Sequence, residues 1–270
     1  MGFGDLWQAG IQEGGVRVSS PFSLEGKVAI VTGSGRGIGK ALALGLAQAG
    51  ADVVVLARTA ADIENTAGEV RSLGRRALAV PTDVRSGDQV AGMVEATLKE
   101  FGRVDILVNN AGASFLTPTL ELSEGGWDAL VRENLKTPFL CAKAVAGAMM
   151  SQGKGSIINI SSTEGMRSAA TCAAYAAAKA GVINLTRSLA VEWAPHIRVN
   201  CICPGFIENP GLPRALEADG GLKEKLSRVP LRHMGKPEDI VGGVVYFASD
   251  ASSYVTGALL AIDGGFTSVL

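Results

Sequence analysis

Seven short runs rich in Val, Ile and Leu, separated by amphipathic or Ala-rich segments of helical length, constrain this chain more than any other feature. The runs are 27–32, 52–57, 76–81, 106–109, 156–161, 198–203 and 258–263. They are almost continuously apolar rather than alternating, as strands are when a parallel sheet is covered on both faces. The segments between them, 38–49, 60–73, 87–101, 124–150, 171–193 and 237–249, have helical composition and rhythm. Parallel strands need crossover connections, which helices supply. The alternation therefore predicts an α/β fold: a single doubly wound parallel sheet of about seven strands with helices on both faces.

The 270 residues are 47% hydrophobic and 19% charged, ample for a large core. A formal net charge of −1 gives no reason to expect a nucleic acid or other polyanion as partner. No apolar run approaches the ~18 residues of a membrane span, so no membrane partner is expected. Residues 1–22 carry glycines and both charge signs without the basic-then-apolar layout of a signal peptide, and read as an extension of a domain spanning 23–270. Cys141, Cys172, Cys201 and Cys203 sit in apolar or helical surroundings, and His196 and His233 have no companion at ligand spacing. Small buried hydrophobes fit the cysteines better than a metal site, and a reducing, cytoplasmic setting is expected. Between 206 and 231 the rhythm breaks into prolines, glycines and scattered charges. A long insertion after a strand's carboxyl end is where a loop over a ligand sits.

The first strand runs into Thr32-Gly33-Ser34-Gly35-Arg36-Gly37-Ile38-Gly39 and then a helix. Glycines let the backbone approach a pyrophosphate closely, and the helix start offers free N–H groups and a positive dipole end. This is the strand–loop–helix context of a Rossmann-type dinucleotide site. At the end of the second strand an acid suits the ribose 2′-hydroxyl of NAD and a base the 2′-phosphate of NADP. Here Ala57 stands where the acid is expected and Arg58 follows. With Arg36 in the glycine loop as a second cation, NADP(H) is expected over NAD(H); Arg58 stacking on the adenine is the alternative.

Tyr175 and Lys179 lie four residues apart within a helical stretch and so share one helix face. A nearby positive charge lowers a phenol's pKa and makes acid/base work at neutral pH possible.

With these residues in place the chain resembles the short-chain dehydrogenase/reductase family. Thr32 to Gly39 matches its T-G-x-x-x-G-x-G loop, Asn109-Asn110-Ala111-Gly112 its N-N-A-G segment, and Tyr175 with Lys179 its Y-x-x-x-K pair. Ser162, thirteen residues before the tyrosine, matches its serine; Asn134 its helix asparagine; Asp83, followed by Val84, its adenine-contacting aspartate; Pro204-Gly205 and Asp263-Gly264-Gly265 its late loops. The resemblance spans about 24–267. Where the family often has a threonine or serine reaching the carboxamide after P-G, this chain has Phe206-Ile207-Glu208-Asn209. Pro138 falls inside the helix carrying Asn134 and predicts a kink there.

The resemblance implies a hydride transfer between a nicotinamide and an alcohol or carbonyl carbon. Asn134, Ser162, Tyr175 and Lys179 form the implied catalytic set. Tyr175 moves the proton, Lys179 tunes it and holds the nicotinamide ribose, Ser162 binds the substrate oxygen, and Asn134 places a water. The implied cofactor contacts are Gly33, Ser34, Arg36, Gly37, Ile38, Gly39, Arg58, Asp83, Val84, Asn110, Ala111, Gly112, Tyr175, Lys179, Pro204, Gly205 and Ile207. The implied substrate is a small-molecule carbonyl or alcohol, as in the 3-oxoacyl-carrier-protein reductase and sugar dehydrogenase branches, and the implied assembly a homotetramer or homodimer. Segments 113–117, 163–169 and 206–231 are expected to line the substrate pocket. An NADP(H)-binding sensor without turnover is the alternative class.

Overall fold

A strand that is apolar on both faces can leave neither in water, and each of the seven runs lies within one sheet. The computed structural model describes residues 20–167, 170–209 and 222–269. The strands are β1 (Val28–Thr32), β2 (Asp52–Ala57), β3 (Ala77–Pro81), β4 (Ile106–Asn109), β5 (Gly155–Ile160), β6 (Ile197–Pro204) and β7 (Leu259–Ile262). All pair in parallel, in the order β3-β2-β1-β4-β5-β6-β7. Ile30 stands between Val54 and Leu107 in the register.

Successive side chains alternate between the faces of a strand, so both faces find apolar cover. Ala29, Val31, Val53 and Val55 pack with Leu42 and Leu46 of α1 (Gly37–Gln48), Ile63 and Val70 of α2 (Ala60–Ser72) and Phe247 of the last helix. Val28, Ile30, Val54 and Leu56 pack on the other face with Val90 and Met93 of α3 (Gly87–Phe101), and with Val145, Met149 and Leu189 beyond them. The helical segment from residue 124 is α4 (Glu124–Val131), a π-helical turn (Arg132–Lys136) and α5 (Thr137–Ser151). Then follow α6 (Ala173–Glu192), the short α7 (Leu222–Ser227), a 3₁₀ turn (Pro237–Ile240) and α8 (Val241–Ala248).

The expected helix over 124–150 is helical throughout, and the irregularity expected at Pro138 takes the form of the π turn. Pro138, in the first turn of α5, has no N–H to give to the Asn134 carbonyl. The chain absorbs the mismatch as a wider turn. The expected start of the next helix at 171 is two residues early, because Thr171 has φ of 63°, outside the helical region, and α6 begins at Ala173.

Residues 1–19, most of the expected extension, lie outside the described residues, as do 210–221 of the expected substrate loop and the lining residues Ser168 and Ala169. Pro21 is already joined to the fold: its carbonyl accepts from Ala251 N at 3.0 Å, and Leu24 is fully buried. Among the described residues no helix is long and apolar enough to cross a membrane. Nor, among them, does any group of three or more His, Cys, Asp and Glu come together as a metal site.

Candidate active site

Connections leave β1 and β4 in opposite directions, and a crevice opens between their carboxyl ends. Its walls are stitched by Thr32, whose buried hydroxyl oxygen accepts from Asn110 N and Ala111 N, both at 2.9 Å. Asn110 Nδ2 returns a bond to the Thr32 carbonyl at 3.0 Å. Gly33 and Gly37 have φ of 66° and 54°, the left-handed region that favours glycine. A Cβ on Gly39 would stand 2.2 Å from the Gly33 carbonyl oxygen, so only glycine lets the loop fold back on α1.

The start of α1 fits an anion. No side chain caps it and no acid sits in its first turn, whereas α3 begins with Ser86 as cap and Asp88 in its first turn. A Cβ on Gly37 would meet nothing within 4 Å, so its position faces open space. Free N–H groups at a helix start, beside an open backbone cradle, bind phosphate well. Ile38 opens the same turn, half-buried. Ser34 turns away from it: its hydroxyl donates to the Val31 carbonyl at 2.7 Å and accepts from Leu56 N at 2.9 Å, inside the sheet. Its side chain ties β1 to β2, leaving only its backbone for a ligand.

At the far end of the crevice Arg36 and Arg58 are both exposed, and neither forms an ion pair among the described residues. Asp83 follows β3, and hydrogen bonds from Arg85 hold its carboxyl well below the usual range, at about 2. Val84 beside it packs against the apolar core.

The remaining groups gather at the ends of β4 and β5. Two adjacent serines after β5 point to different tasks. Ser161, buried, donates to the Lys179 carbonyl at 2.8 Å and so fixes α6 against the sheet. The Ser162 side chain hydrogen-bonds the Tyr175 phenol and accepts from Glu164 N at 3.1 Å. Lys179 Nζ is buried, donates to the Ile160 carbonyl at 3.0 Å, and lies 5.7 Å from the centre of the Tyr175 ring. Asn134 is fully buried in the π turn; its Nδ2 donates to the Ala113 and Leu130 carbonyls at 2.7 and 2.9 Å. A Cβ on Gly112 would stand 2.7 Å from Asn134 Oδ1 and 3.6 Å from Lys179 Nζ. The Y-x-x-x-K pair, the serine, the asparagine and the N-N-A-G backbone thus converge, as the sequence predicts.

Their electrostatics differ from the expectation. Burial, with the Glu164 and Cys172 charges, pushes the Tyr175 phenol up to about 12, and the Ser162 hydrogen bond only partly opposes it. Burial brings the Lys179 ammonium down to about 8, against the pull of Cys201 and Cys203. A lysine one turn on does not by itself lower the phenol, because desolvation is the largest influence on it.

After β6, Gly205 N bonds the Ile262 carbonyl at 3.0 Å, directly beyond Pro204, and Ile207 forms an isolated parallel bridge with Gly235. Beneath lies a cavity of about 250 Å³ lined by Phe206, Ile207, Val229, Leu231, His233 and Gly264, among others. Phe115, Leu116 and Met166 are exposed apolar residues of the expected lining, and Thr117 N bonds the Thr171 carbonyl at 2.7 Å. Arg167 instead stacks on Phe266, 4.4 Å from its ring centre.

Asn159, Thr186 and Arg85 were not singled out from the sequence, and Asn109 entered only as the first residue of N-N-A-G. Asn109 donates to Asn159 Oδ1 at 2.9 Å, and Asn159 donates to Thr186 at 2.9 Å, a buried polar line from β4 through β5 to α6. Their signal is asparagine in otherwise apolar strands. Arg85, which joins Asp83 to Glu133, carried no such signal.

A parallel sheet with a glycine cradle at its switch point and a Ser–Tyr–Lys–Asn cluster beside it defines a dinucleotide-dependent oxidoreductase. Comparison with known proteins agrees. The profile of the family described as enoyl-(acyl carrier protein) reductase matches residues 33–267. The chain is 41% identical over 251 residues to 2-dehydro-3-deoxy-D-gluconate 5-dehydrogenase of Escherichia coli (strain K12), covering 92% of this chain and 98% of that protein. It is 40% identical over 243 residues to 3-oxoacyl-(acyl-carrier-protein) reductase of Thermotoga maritima, covering 90% and 98%. The crystal structure of a gluconate 5-dehydrogenase from Burkholderia cenocepacia J2315, in complex with NADP and tartrate, superposes with a TM-score of 0.88 at 38% identity, covering 93% and 98%. The chain belongs to the short-chain dehydrogenase/reductase family and is an NAD(P)-dependent enzyme acting on alcohol or ketone substrates.

Proposed function

We propose that the chain transfers a hydride between the nicotinamide of NADP(H) and a secondary alcohol or ketone, with Tyr175 as general acid/base. The observation that carries this reading is the Tyr175 phenol hydrogen-bonded to Ser162, with the buried Lys179 5.7 Å from its ring, at the mouth of the glycine cradle. The cofactor supplies the hydride. The cradle from Gly33 to Gly39 takes the pyrophosphate, Asp83 and Val84 the adenine, and Asn110, Ala111, Gly112, Pro204, Gly205 and Ile207 the nicotinamide half. A phenol pushed up to about 12 is protonated at neutral pH, the form that carbonyl reduction consumes. Ser162 gives a hydrogen bond to the substrate oxygen as charge develops on it. Lys179 holds the nicotinamide ribose, and a water placed by Asn134 links Lys179 to solvent so that the proton can be replaced.

The free guanidinium groups of Arg36 and Arg58, with Ala57 where an acid would bind a 2′-hydroxyl, favour NADP(H) over NAD(H). The exposed Phe115, Leu116 and Met166 suit a medium-sized carbonyl such as a 3-oxoacyl thioester or a sugar-type ketone. We assign residues 23–270 to one catalytic domain, with Phe206, Ile207, Val229 and Leu231 beside the substrate. A panel of such ketones and alcohols, followed at 340 nm with NADPH and NADP, is expected to give turnover. Cofactor binding without turnover of any member would favour a sensor instead.

A further inference from the structure

One contact joins the two ends of the site without belonging to either. The Arg85 guanidinium is divided between two carboxylates. Its Nε lies 2.8 and 2.9 Å from the Asp83 oxygens and its Nη2 2.5 Å from Asp83 Oδ2, while Arg85 N bonds Asp83 Oδ1 at 3.0 Å. Its Nη1 reaches Glu133 Oε1 at 3.1 Å. Glu133 directly precedes Asn134 in the π turn, and its carbonyl accepts from Thr137 Oγ1 at 2.8 Å. On the other side, Asp83 N is anchored to Gln89 Oε1 at 2.8 Å.

We propose that Arg85 is a positioning residue that couples occupation of the adenine end of the cofactor site to the placement of Asn134. This rests on the functional reading above, which puts adenine at Asp83 and Asn134 in the proton path. A guanidinium is a planar fork that can hold a carboxylate bidentately and still offer an N–H to a second group in a fixed direction. Asp83 cannot move toward a ligand without moving that fork. The fork cannot move without drawing on Glu133, and Asn134 is the next residue. Asn134 is held to Ala113 and Leu130 through one side-chain amide, so a displacement of its backbone alters where that amide sits. An isolated pair this exposed would do little; three groups in one network, tied to a π turn, form a linkage between sites.

The test uses the full chain, its Glu133→Gln variant, and adenosine 2′,5′-bisphosphate, which carries the adenine end alone. Binding is measured by calorimetry and backbone ordering by amide hydrogen exchange. In the wild type, the bisphosphate should slow exchange in 132–137. In Glu133→Gln it should bind within about threefold of wild type yet leave 132–137 unprotected. In turnover, Glu133→Gln should lower kcat/KM about five- to twentyfold with NADPH but less than about twofold with reduced nicotinamide mononucleotide, which lacks the adenine end. Equal protection in both proteins, no protection in the wild type, or equal kinetic losses with both cofactors would overturn the proposal. Failure of the wild type to bind the bisphosphate and NADPH at all would overturn it by striking the cofactor reading itself.

Discussion

At the scale of single residues, the site depends on side chains whose charge is unfavourable where they sit. Lys179 is the clearest case: burial brings it from 10.5 down to about 8. Between those values the unfolded chain binds more protons than the folded one at this position, so its contribution makes stability rise with pH. That contribution is complete above 10.5 and is lost as the pH falls through 8. Tyr175 acts in the opposite sense. Raised from 10.0 to about 12, it contributes stability that is complete below 10 and is lost as the pH rises through 12. Thermal unfolding of wild type and Lys179→Met at each pH separates the lysine from every other group. The variant should gain on the wild type in Tm as the pH is lowered from 10 to 7. A difference in Tm independent of pH would show that Lys179 is not a buried base.

The clustering of residues was legible where motifs set one type at one spacing, as for Tyr175, Lys179, Ser162 and the glycines. A role was less legible where a side chain serves the scaffold. Ser34, read as a cofactor contact, spends its hydroxyl on Val31 and Leu56, because a small polar group at a strand end can tie two strands as readily as bind a ligand. Spacing also gave no access to the Tyr175 pKa, since desolvation depends on what covers the ring.

At the scale of elements, all seven strands were legible: the inner strands are apolar throughout because both their faces are buried, and the half-buried edge strands β3 and β7 keep the same apolar run. The helix from residue 124 was legible too, with its irregularity at Pro138, although composition does not report whether a turn closes over four residues or five. The end of β2 carries a prediction of its own. The sheet delivers Arg58 to solvent at the edge of the crevice, just past Ala57, in no ion pair among the described residues. A charge-assisted bond of this kind contributes about 1.5–3 kcal/mol, so Arg58→Ala should lower kcat/KM for NADPH roughly tenfold or more. NADH should change little. Equal losses with both cofactors would point to stacking on the adenine instead.

At the scale of the whole molecule, α5 and α6 leave apolar side chains in water. Phe139 is 42% exposed, Met150 38% and Val191 83%. Uncovered apolar groups on helices that also carry the site favour association, and we expect a homotetramer, or at least a homodimer. Light scattering checks this, and a stable monomer at micromolar concentration would refute it. The overall topology was legible from the β–α rhythm alone. The pairing of distant residues such as Arg85 with Glu133 was not, because only the fold brings them together.

The proposed chemistry turns on Tyr175 moving the proton of a hydride transfer. Its most direct test is Tyr175→Phe, assayed at 340 nm on the best ketone of the panel, with NADPH binding measured in parallel. General acid catalysis contributes about 10²–10⁴-fold. The expected result is a loss of kcat in that range with NADPH affinity kept. Near-normal turnover in the variant would contradict it.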